Sequence, residues 1–280
     1  MASIPVFLRR HSLIAGLALM FAFTWPIDLA NAGVLPFPVP FAAHLFLGWG
    51  FIVASLLMTG LTLGQGAVAT LLKRYLIWRV RWPWYLVAFL LYPAIFVAAV
   101  ALNAAWTGTP VNFGATFASQ FFGAAASLPL FVVPFFLFEM VANGEEMGWR
   151  GYVLPRLQAR HSALVASLIL GLIWGLWHLP KYLGSEGGGA FGLGMAQILG
   201  SAILYTWLYN NTRGSLLLVA IMHAADNTAG FFLPMANTRS NDHMGALVIA
   251  VGSIWLVAAL VTVIAGPAQL SRSQPKQVQD

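Results

Sequence analysis

This 280-residue sequence contains very few charged residues. Only 8% of the residues are Asp, Glu, Lys or Arg, whereas 60% are hydrophobic. A typical soluble domain carries about 25% charged residues, so a surface this poor in charge cannot face water over its whole area. The composition therefore argues against a soluble enzyme and predicts a polytopic membrane protein.

Cysteine is absent, which excludes disulfide bonds, thiolate metal ligands and a cysteine nucleophile. We also find no internal repeat, and we expect residues 1–280 to form a single membrane domain that ends in a disordered tail over 271–280. The net charge of +6 would suit a nucleic-acid-binding protein. In a membrane protein it more simply reflects basic cytoplasmic loops, so we expect the lipid bilayer, and no nucleic acid, as a partner.

Long apolar runs recur along the whole chain. A helix that crosses the hydrocarbon layer needs about 20 mostly apolar residues, and the runs of this sequence predict an all-α fold with about eight transmembrane helices. The predicted segments are 12–29, 41–63, 82–102, 117–141, 163–179, 191–209, 216–233 and 245–265.

Basic residues are distributed unevenly between these segments. If the N-terminus is cytoplasmic and the segments alternate in direction, only Lys181 and Arg239 of the 14 Lys and Arg residues fall outside. This pattern predicts a multi-pass protein of the cell membrane with both termini in the cytoplasm. The stretch 64–81 mixes four cations with Leu, Trp and Tyr, which predicts an interfacial segment. The N-terminal segment of the sequence resembles a signal peptide that ends in Ala-Asn-Ala. We expect this segment to stay uncleaved and to form the first membrane span.

Half of the acidic residues lie in or beside apolar segments, where an ionised group costs about 3 kcal/mol and usually has a partner and a function. These are Glu139, Glu145, Glu146 and Asp226. In the stretch NGEEMGWRGY, Glu146 and Arg150 are four residues apart, so a helix places them on one face. Glu145 then points about 100° away and is free to face something else. A salt bridge just outside the lipid is the simpler interpretation of this stretch alone.

Two further stretches place polar residues in apolar segments. In GLIWGLWHLPKY, His178 lies one helical turn after Trp174, and Pro180 is expected to end the helix. In VAIMHAADNT, His223 and Asn227 are four residues apart and share a helix face. Each stretch alone is more simply explained by hydrogen bonds between helices or at the interface.

Helix geometry predicts that the three stretches meet. Glu145 lies 15 residues before Arg160, and His178 lies 17 residues after His161, on either side of one basic turn. Both would stand about 22–26 Å from that turn, at similar depth in an antiparallel pair of helices. His223 would stand about 15 Å above its own basic turn. The depths agree if the first pair projects a turn or two below the membrane, so the scarce polar groups are expected to converge on one buried layer.

A layer of this composition suits the activation of water. The glutamate can take a proton from water, one histidine can position the water, and the remaining donors can hold an oxyanion. A second possibility is zinc held by Glu145, His178 and His223, with water as the fourth ligand. The HExxH signature of many zinc proteases is absent, which weakens this alternative without excluding it.

The three stretches resemble the motifs of the CPBP family, the CAAX prenyl proteases and bacteriocin-processing or immunity proteins that are also called Abi. Its pattern is EExxxR, then an aromatic residue one turn before a histidine, then HxxxN or HxxxD. Here the matching residues are Glu145, Glu146, Arg150, Trp174, His178, His223 and Asn227. Trp174 stands where the family usually has Phe. The resemblance covers the segment 135–230, which we expect to be the protease core.

The resemblance implies an all-helical intramembrane endopeptidase. Glu145 and His178 would activate water, and His223 and Asn227 would stabilise the oxyanion. Glu146 and Arg150 would brace the site, with Arg150 near the C-terminal side of the substrate. Members are often called metalloproteases, although the prenyl-protease relatives are thought to work without a metal, so zinc and no cofactor both stay open.

The substrate is expected to be a peptide or a membrane protein. A prenylated CAAX protein, a peptide precursor and a bacteriocin leader are all compatible with the motifs, and no motif indicates the oligomeric state. Two other classes of function compete with the protease. Buried Glu, His and Arg also build the proton relays of coupled transporters, although the lack of inverted repeats argues against one. A non-catalytic immunity or scaffolding protein could keep the fold, but it would not need Glu145.

Overall fold

The computed structural model describes residues 3–40, 43, 47–123, 129–183, 191–235 and 244–272. Within these ranges the chain is helical and contains no β-strand. The α-helices are α1 Ser3–Arg10, α2 Ser12–Asn31, α3 Trp49–Leu63, α4 Gln65–Lys73, α5 Pro83–Thr107, α6 Phe117–Phe122, α7 Val132–Ala142, α8 Leu154–Gln158, α9 Ala163–Trp177, α10 Pro180–Leu183, α11 Phe191–Asn211, α12 Leu216–Phe232 and α13 Met244–Ala265. Single 3₁₀ turns lie at Arg74–Leu76, Phe113–Ala115 and Pro129–Phe131, and a π-helix at Met147–Val153.

Eight of these helices are apolar and at least 11 residues long. In the described ranges, α2, α5, α11 and α13 are long and apolar enough to cross a membrane. The shorter apolar helices are α3, α7, α9 and α12. A helix of 15 residues, such as α9, spans about 22 Å, less than the hydrocarbon layer of about 30 Å. The predicted all-α polytopic membrane fold is confirmed, and four of its eight predicted segments reach full membrane length in the described ranges.

The fourth predicted segment, 117–141, does not form one continuous helix, so that prediction is wrong. Helix α6 ends at Phe122, because Gly123 adopts a left-handed backbone with φ of 56°. A residue in this conformation ends an α-helix. Helix α7 begins only at Val132, after a 3₁₀ turn, and residues 124–128 lie outside the described ranges. The short α7 places Glu139 near the end of its own helix, close to the stretch that carries Glu145.

The helices that carry the predicted site residues pack around one another. Helix α9 packs along α11, α12 packs along α5 and α7, and α13 covers α5 and α11. The π-helix contacts α2, α3, α9 and α12. Ser162 begins α9 and Ser215 begins α12, each accepting a hydrogen bond on its side chain from a backbone N–H of the first turn. As predicted from Pro180, α9 ends before that residue, at Trp177.

The stretch 64–81 forms α4, one 3₁₀ turn and an irregular segment. Leu76 and Trp78 on this segment are exposed, as the prediction of an interfacial segment requires. Arg74 departs from that prediction, because it is buried and donates a hydrogen bond to the hydroxyl of Tyr209. At the C-terminal end of the described chain, the side chain of Ser271 is buried and donates to Asn211 at 3.1 Å. Arg272, the next residue of the predicted tail, is exposed, and 273–280 lies outside the described ranges.

Two backbone segments meet directly before Glu145, which explains glycine at position 144. A Cβ atom at Gly144 would lie 2.5 Å from the carbonyl oxygen of Gly48 and 2.6 Å from the side chain of Ile52. A backbone atom cannot move aside as a side chain can. Gly144→Ala is therefore expected to lower the free energy of unfolding by about 1–3 kcal/mol, measured by thermal unfolding in detergent.

Gly252 provides the matched control for this substitution. It lies within α13, and a Cβ atom there would meet no heavy atom within 4 Å. Gly252→Ala is expected to leave the stability unchanged or slightly higher, because alanine is the better helix former. Equal melting temperatures for Gly144→Ala and Gly252→Ala would contradict the proposed steric conflict.

Candidate active site

Glu145 begins the turn that follows α7. The side chain of Asn143 accepts the backbone N–H of Glu145 at 3.1 Å and so starts this turn in the manner of a helix cap. Oε2 of Glu145 accepts two indole N–H groups, from Trp149 at 3.2 Å and from Trp174 at 3.1 Å. Glu145 is only half-buried. Its carboxylate is thus held in one orientation by two donors and is still accessible.

Glu146 points the opposite way, into the core. Its Oε1 accepts a hydrogen bond from Nη1 of Arg150 and lies against Nδ1 of His223, both at 2.8 Å. Glu146 and Arg150 are each fully buried. The ion pair predicted from their spacing is confirmed, although the segment that contains Arg150 is a π-helix where the prediction assumed an α-helix. Glu146 thereby links the first motif to α12.

Arg150 lies between two aromatic rings. Its guanidinium carbon is 4.5 Å from the ring centre of Trp174 and 4.4 Å from that of Tyr205. Cation–π contacts of this kind stabilise an arginine whose hydration has been removed. Its Nε and Nη2 have no hydrogen-bond partner among the described residues. Full burial behind Glu146 favours a bracing role for Arg150 over contact with a bound peptide.

His178 follows directly after the end of α9. Its Nδ1 lies 2.9 Å from the carbonyl oxygen of Trp174. A carbonyl oxygen can only accept, so Nδ1 carries a proton and the Nε2 of the neutral ring keeps a lone pair. The ring packs edge-on against Trp177 at 4.7 Å, and Trp177 donates to Thr24 of α2 at 2.7 Å. These contacts fix both the tautomer and the orientation of the imidazole.

Helix α12 supplies His223 and Asn227 one turn apart. The ring of His223 packs at 5.7 Å against both Trp174 and Tyr205, which also contact Arg150. The amide nitrogen of Asn227 donates to Oε2 of Glu139 on α7 at 2.7 Å. The structure therefore links five of the six predicted residues by side-chain contacts that include Trp174, and it places Asn227 one turn from His223. The links join Glu145 and His178 through Trp174 and Glu146 with Arg150 and His223, and Asn227 lies on the same face as His223.

Comparison with known proteins places these motifs in a family. The model of the Rce1-like family, described as type II CAAX prenyl endopeptidase Rce1-like, matches residues 125–229, which contain all six predicted residues. CAAX prenyl protease 2 of Methanococcus maripaludis is 31% identical over 184 residues. The segment that carries the motifs is therefore similar to CAAX prenyl proteases, as the resemblance to the CPBP family implies. The alignment to this relative covers 62% of the chain and 63% of the relative, so the chain spans less than two thirds of its length.

The network contains residues that the CPBP motifs do not specify. Glu139 binds Asn227, and Asp226 accepts a hydrogen bond from the hydroxyl of Tyr205 at 3.1 Å. Trp149 adds the second indole donor to Glu145. The scarcity of acid in this sequence pointed to Glu139 and Asp226 as unusual, but not to their partners. Nothing in the sequence distinguishes Tyr205 from the other aromatic residues of the apolar helices.

The name metalloprotease, often used for CPBP proteins, implies a metal that this donor set does not fit. Among the described residues, no three His, Cys, Asp or Glu side chains are grouped so that they could hold a metal ion. Oε2 of Glu145 already accepts two indole N–H groups. The alternative of zinc on Glu145, His178 and His223 is not supported by this arrangement, and we derive no step through a metal.

Proposed function

We propose that this protein is an intramembrane endopeptidase that hydrolyses a peptide bond with water activated by Glu145 and His178. This proposal rests on the contacts of Trp174. Its indole N–H binds the carboxylate of Glu145, and its carbonyl oxygen binds Nδ1 of His178. Trp174 thereby contacts both a carboxylate and a neutral imidazole with a free nitrogen, the two groups that general acid–base chemistry uses here. The similarity to a CAAX prenyl protease supports the same reaction class.

The first step is the attack of water on the scissile carbonyl carbon. Nε2 of His178 accepts a hydrogen bond from the water and orients it, while Glu145 takes the proton. A C–O bond forms, and the carbonyl oxygen becomes an oxyanion. The C–N bond then breaks as protonated Glu145 returns the proton to the leaving nitrogen. The products are a new carboxyl terminus and a new amine, and Glu145 is ready for the next cycle.

The oxyanion is assigned to His223 and Asn227. Glu146 accepts the Nδ1 proton of His223 and supplies a counter-charge for the imidazolium, whose Nε2–H is then a donor. Asn227 offers a second donor from the same helix face. Arg150 holds Glu146 in place through its ion pair and its two aromatic contacts. Preorganised donors in a site that excludes water are worth far more than the same donors in water.

The proposed substrate is a peptide or a membrane protein in the bilayer, with a CAAX-like C-terminal segment as the first candidate. We assign the protein to the cell membrane with both termini on the cytoplasmic side. Contacts between distant segments that carry basic residues support one basic face. Arg213 donates to the backbone carbonyl of Arg79, and Tyr152 donates to that of Ser12, two residues after Arg10. Basic residues concentrate on the cytoplasmic side of membrane proteins.

The experiment that tests the function compares the membrane peptidomes of cells that carry the wild type or Glu145→Gln. We expect peptides with defined new termini in the wild type that are missing from the variant, since Gln cannot take the proton from water. The purified wild type in lipid nanodiscs should cleave synthetic peptides that span such a site, and EDTA should not reduce the rate. Identical peptidomes, together with no cleavage by the wild type, would refute the proposal.

A further inference from the structure

Glu139 is a carboxylate for which the CPBP motifs provide no role. It lies in the last turn of α7, a helix that otherwise contains only apolar residues. A carboxylate in such a helix is costly and therefore needs a partner. The partner is Asn227 on α12, whose Nδ2 donates to Oε2 of Glu139 at 2.7 Å. Both side chains are half-buried.

The chemistry of this contact fixes the orientation of the asparagine amide. An ionised carboxylate can only accept hydrogen bonds, so Asn227 must turn its nitrogen, and not its oxygen, toward Glu139. The amide nitrogen carries two hydrogens, and one of them remains for another acceptor. Without Glu139 the amide could rotate about its last torsion, which has broad and nearly two-fold preferences. Oδ1, an acceptor, would then take the position of the donor.

We propose that Glu139 is a positioning residue that holds the NH₂ group of Asn227 toward the carbonyl oxygen of the scissile bond. The inference rests on the proposed peptidase function, because the orientation matters for catalysis only if Asn227 faces an oxyanion. A misoriented Oδ1 would repel the oxyanion where Nδ2–H would stabilise it. Glu139 thus acts on the transition state through Asn227 and does not itself touch the substrate.

The charges around Glu139 allow a carboxylate at this place. A negative charge behind an oxyanion donor would oppose the reaction if it were not balanced. Burial and the charge of Glu145 disfavour the ionised form of Glu139, whereas the charges of His223 and Lys181 favour it. The two cations partly offset the negative charge, and Asn227 lies between Glu139 and the proposed oxyanion position. Lys181 lies on α10 and His223 on α12, so the two cations come from two helices other than that of Glu139.

A purely structural contact between α7 and α12 is the competing explanation, and a double-mutant cycle on purified enzyme separates the two. The variants are Glu139→Ala, Asn227→Ala and the double variant, each assayed on a peptide that the wild type cleaves. Because loss of one oxyanion donor costs about 10²–10³-fold in kcat, we expect Glu139→Ala to lower kcat by about 10- to 100-fold and to change KM less than about 2-fold. In the Asn227→Ala background, Glu139→Ala should lower kcat less than about 2-fold, since its partner is already missing.

Two further variants complete the kinetic test. Glu139→Gln keeps an oxygen that accepts the hydrogen bond of Asn227, so its kcat should stay within about 5-fold of the wild type. Leu137→Ala is the matched control on the same helix, with a side chain that is exposed, and its kcat should equal that of the wild type. Independent effects of Glu139→Ala and Asn227→Ala on kcat, or loss of activity in Glu139→Gln equal to that in Glu139→Ala, would overturn the proposal.

The same four proteins also give a result that does not depend on peptidase activity. Melting temperatures of the wild type, the two single variants and the double variant report whether Glu139 and Asn227 are coupled in the folded protein. We expect the loss in the double variant to be smaller than the sum of the single losses. Additive losses would overturn the contact itself. If the wild type cleaves no peptide while the losses are non-additive, the proposed function fails and the pairing of Glu139 with Asn227 stands.

Discussion

Glu145→Gln is expected to lower kcat for peptide cleavage by about 10³-fold or more, because general acid–base catalysis by one side chain contributes about 10²–10⁴-fold. Gln has nearly the same shape as Glu, and its oxygen can still accept the indole N–H groups of Trp149 and Trp174. What it lacks is the ability to take a proton from water. The fold should therefore survive while the chemical step is lost, which pre-steady-state cleavage of a fluorogenic peptide would measure directly.

Glu139→Gln is the matched control for Glu145→Gln. It makes the same change from carboxylate to amide in the same layer of the protein, at a residue that binds Asn227 and to which we assign no proton transfer. A large loss of kcat in Glu145→Gln beside a small loss in Glu139→Gln would locate the proton transfer at Glu145. If Glu145→Gln keeps more than about a tenth of the wild-type kcat, Glu145 is not the general base, since such a base contributes at least about 10²-fold.

The His178→Ala variant should have a similarly low kcat. Adding His178→Ala to Glu145→Gln should lower kcat little further. Residues that act on one water molecule as a unit show strongly non-additive effects. The structural link between them is Trp174, which binds both. If the rate losses of Glu145→Gln and His178→Ala multiply in full, the two residues act on separate steps, and the mechanism would need a different role for His178.

The sequence was sufficient to predict that the residues of the three motifs meet. Counting residues from the basic turns placed Glu145, His178 and His223 in one layer, and the spacing of Glu146 and Arg150 predicted their ion pair. These predictions succeed because helix rise and periodicity are nearly constant. They concern the positions of backbone segments along the membrane normal, which a sequence of apolar runs and basic turns defines well.

The contacts that orient the site could not be predicted in the same way. Trp174 contacts Glu145, His178 and Arg150 at the same time, and these contacts depend on side-chain conformations that tertiary packing sets. Tyr205 reaches Arg150 from a helix that carries no motif. The break at Gly123 was missed because an apolar run gives no sign of a left-handed backbone at one glycine. Such features depend on neighbours distant in sequence, which periodicity does not encode.

Removing the buried carboxylate of Glu146 should lower the free energy of unfolding more than Gly144→Ala does. Glu146→Leu would leave Arg150 fully buried without a counter-charge and would also remove the partner of His223. Removing one member of a buried ion pair costs about 3–5 kcal/mol, because an uncompensated charge remains away from water. We expect a loss of this size in the free energy of unfolding, measured by chemical denaturation in detergent micelles.

Arg150→Met, alone and combined with Glu146→Leu, tests whether this loss of stability arises from an unpaired charge. Arg150→Met should cost less than Glu146→Leu, because Glu146 keeps His223 as its partner when Arg150 is gone. The double variant Glu146→Leu/Arg150→Met should be more stable than Glu146→Leu alone, since it removes the orphaned cation and fills its space with apolar atoms. Lys73→Met, which removes an exposed cation at the end of α4, controls for the loss of positive charge in general. A double variant less stable than Glu146→Leu would show that Arg150 stabilises the core mainly through its contacts with Trp174 and Tyr205 and not through its charge.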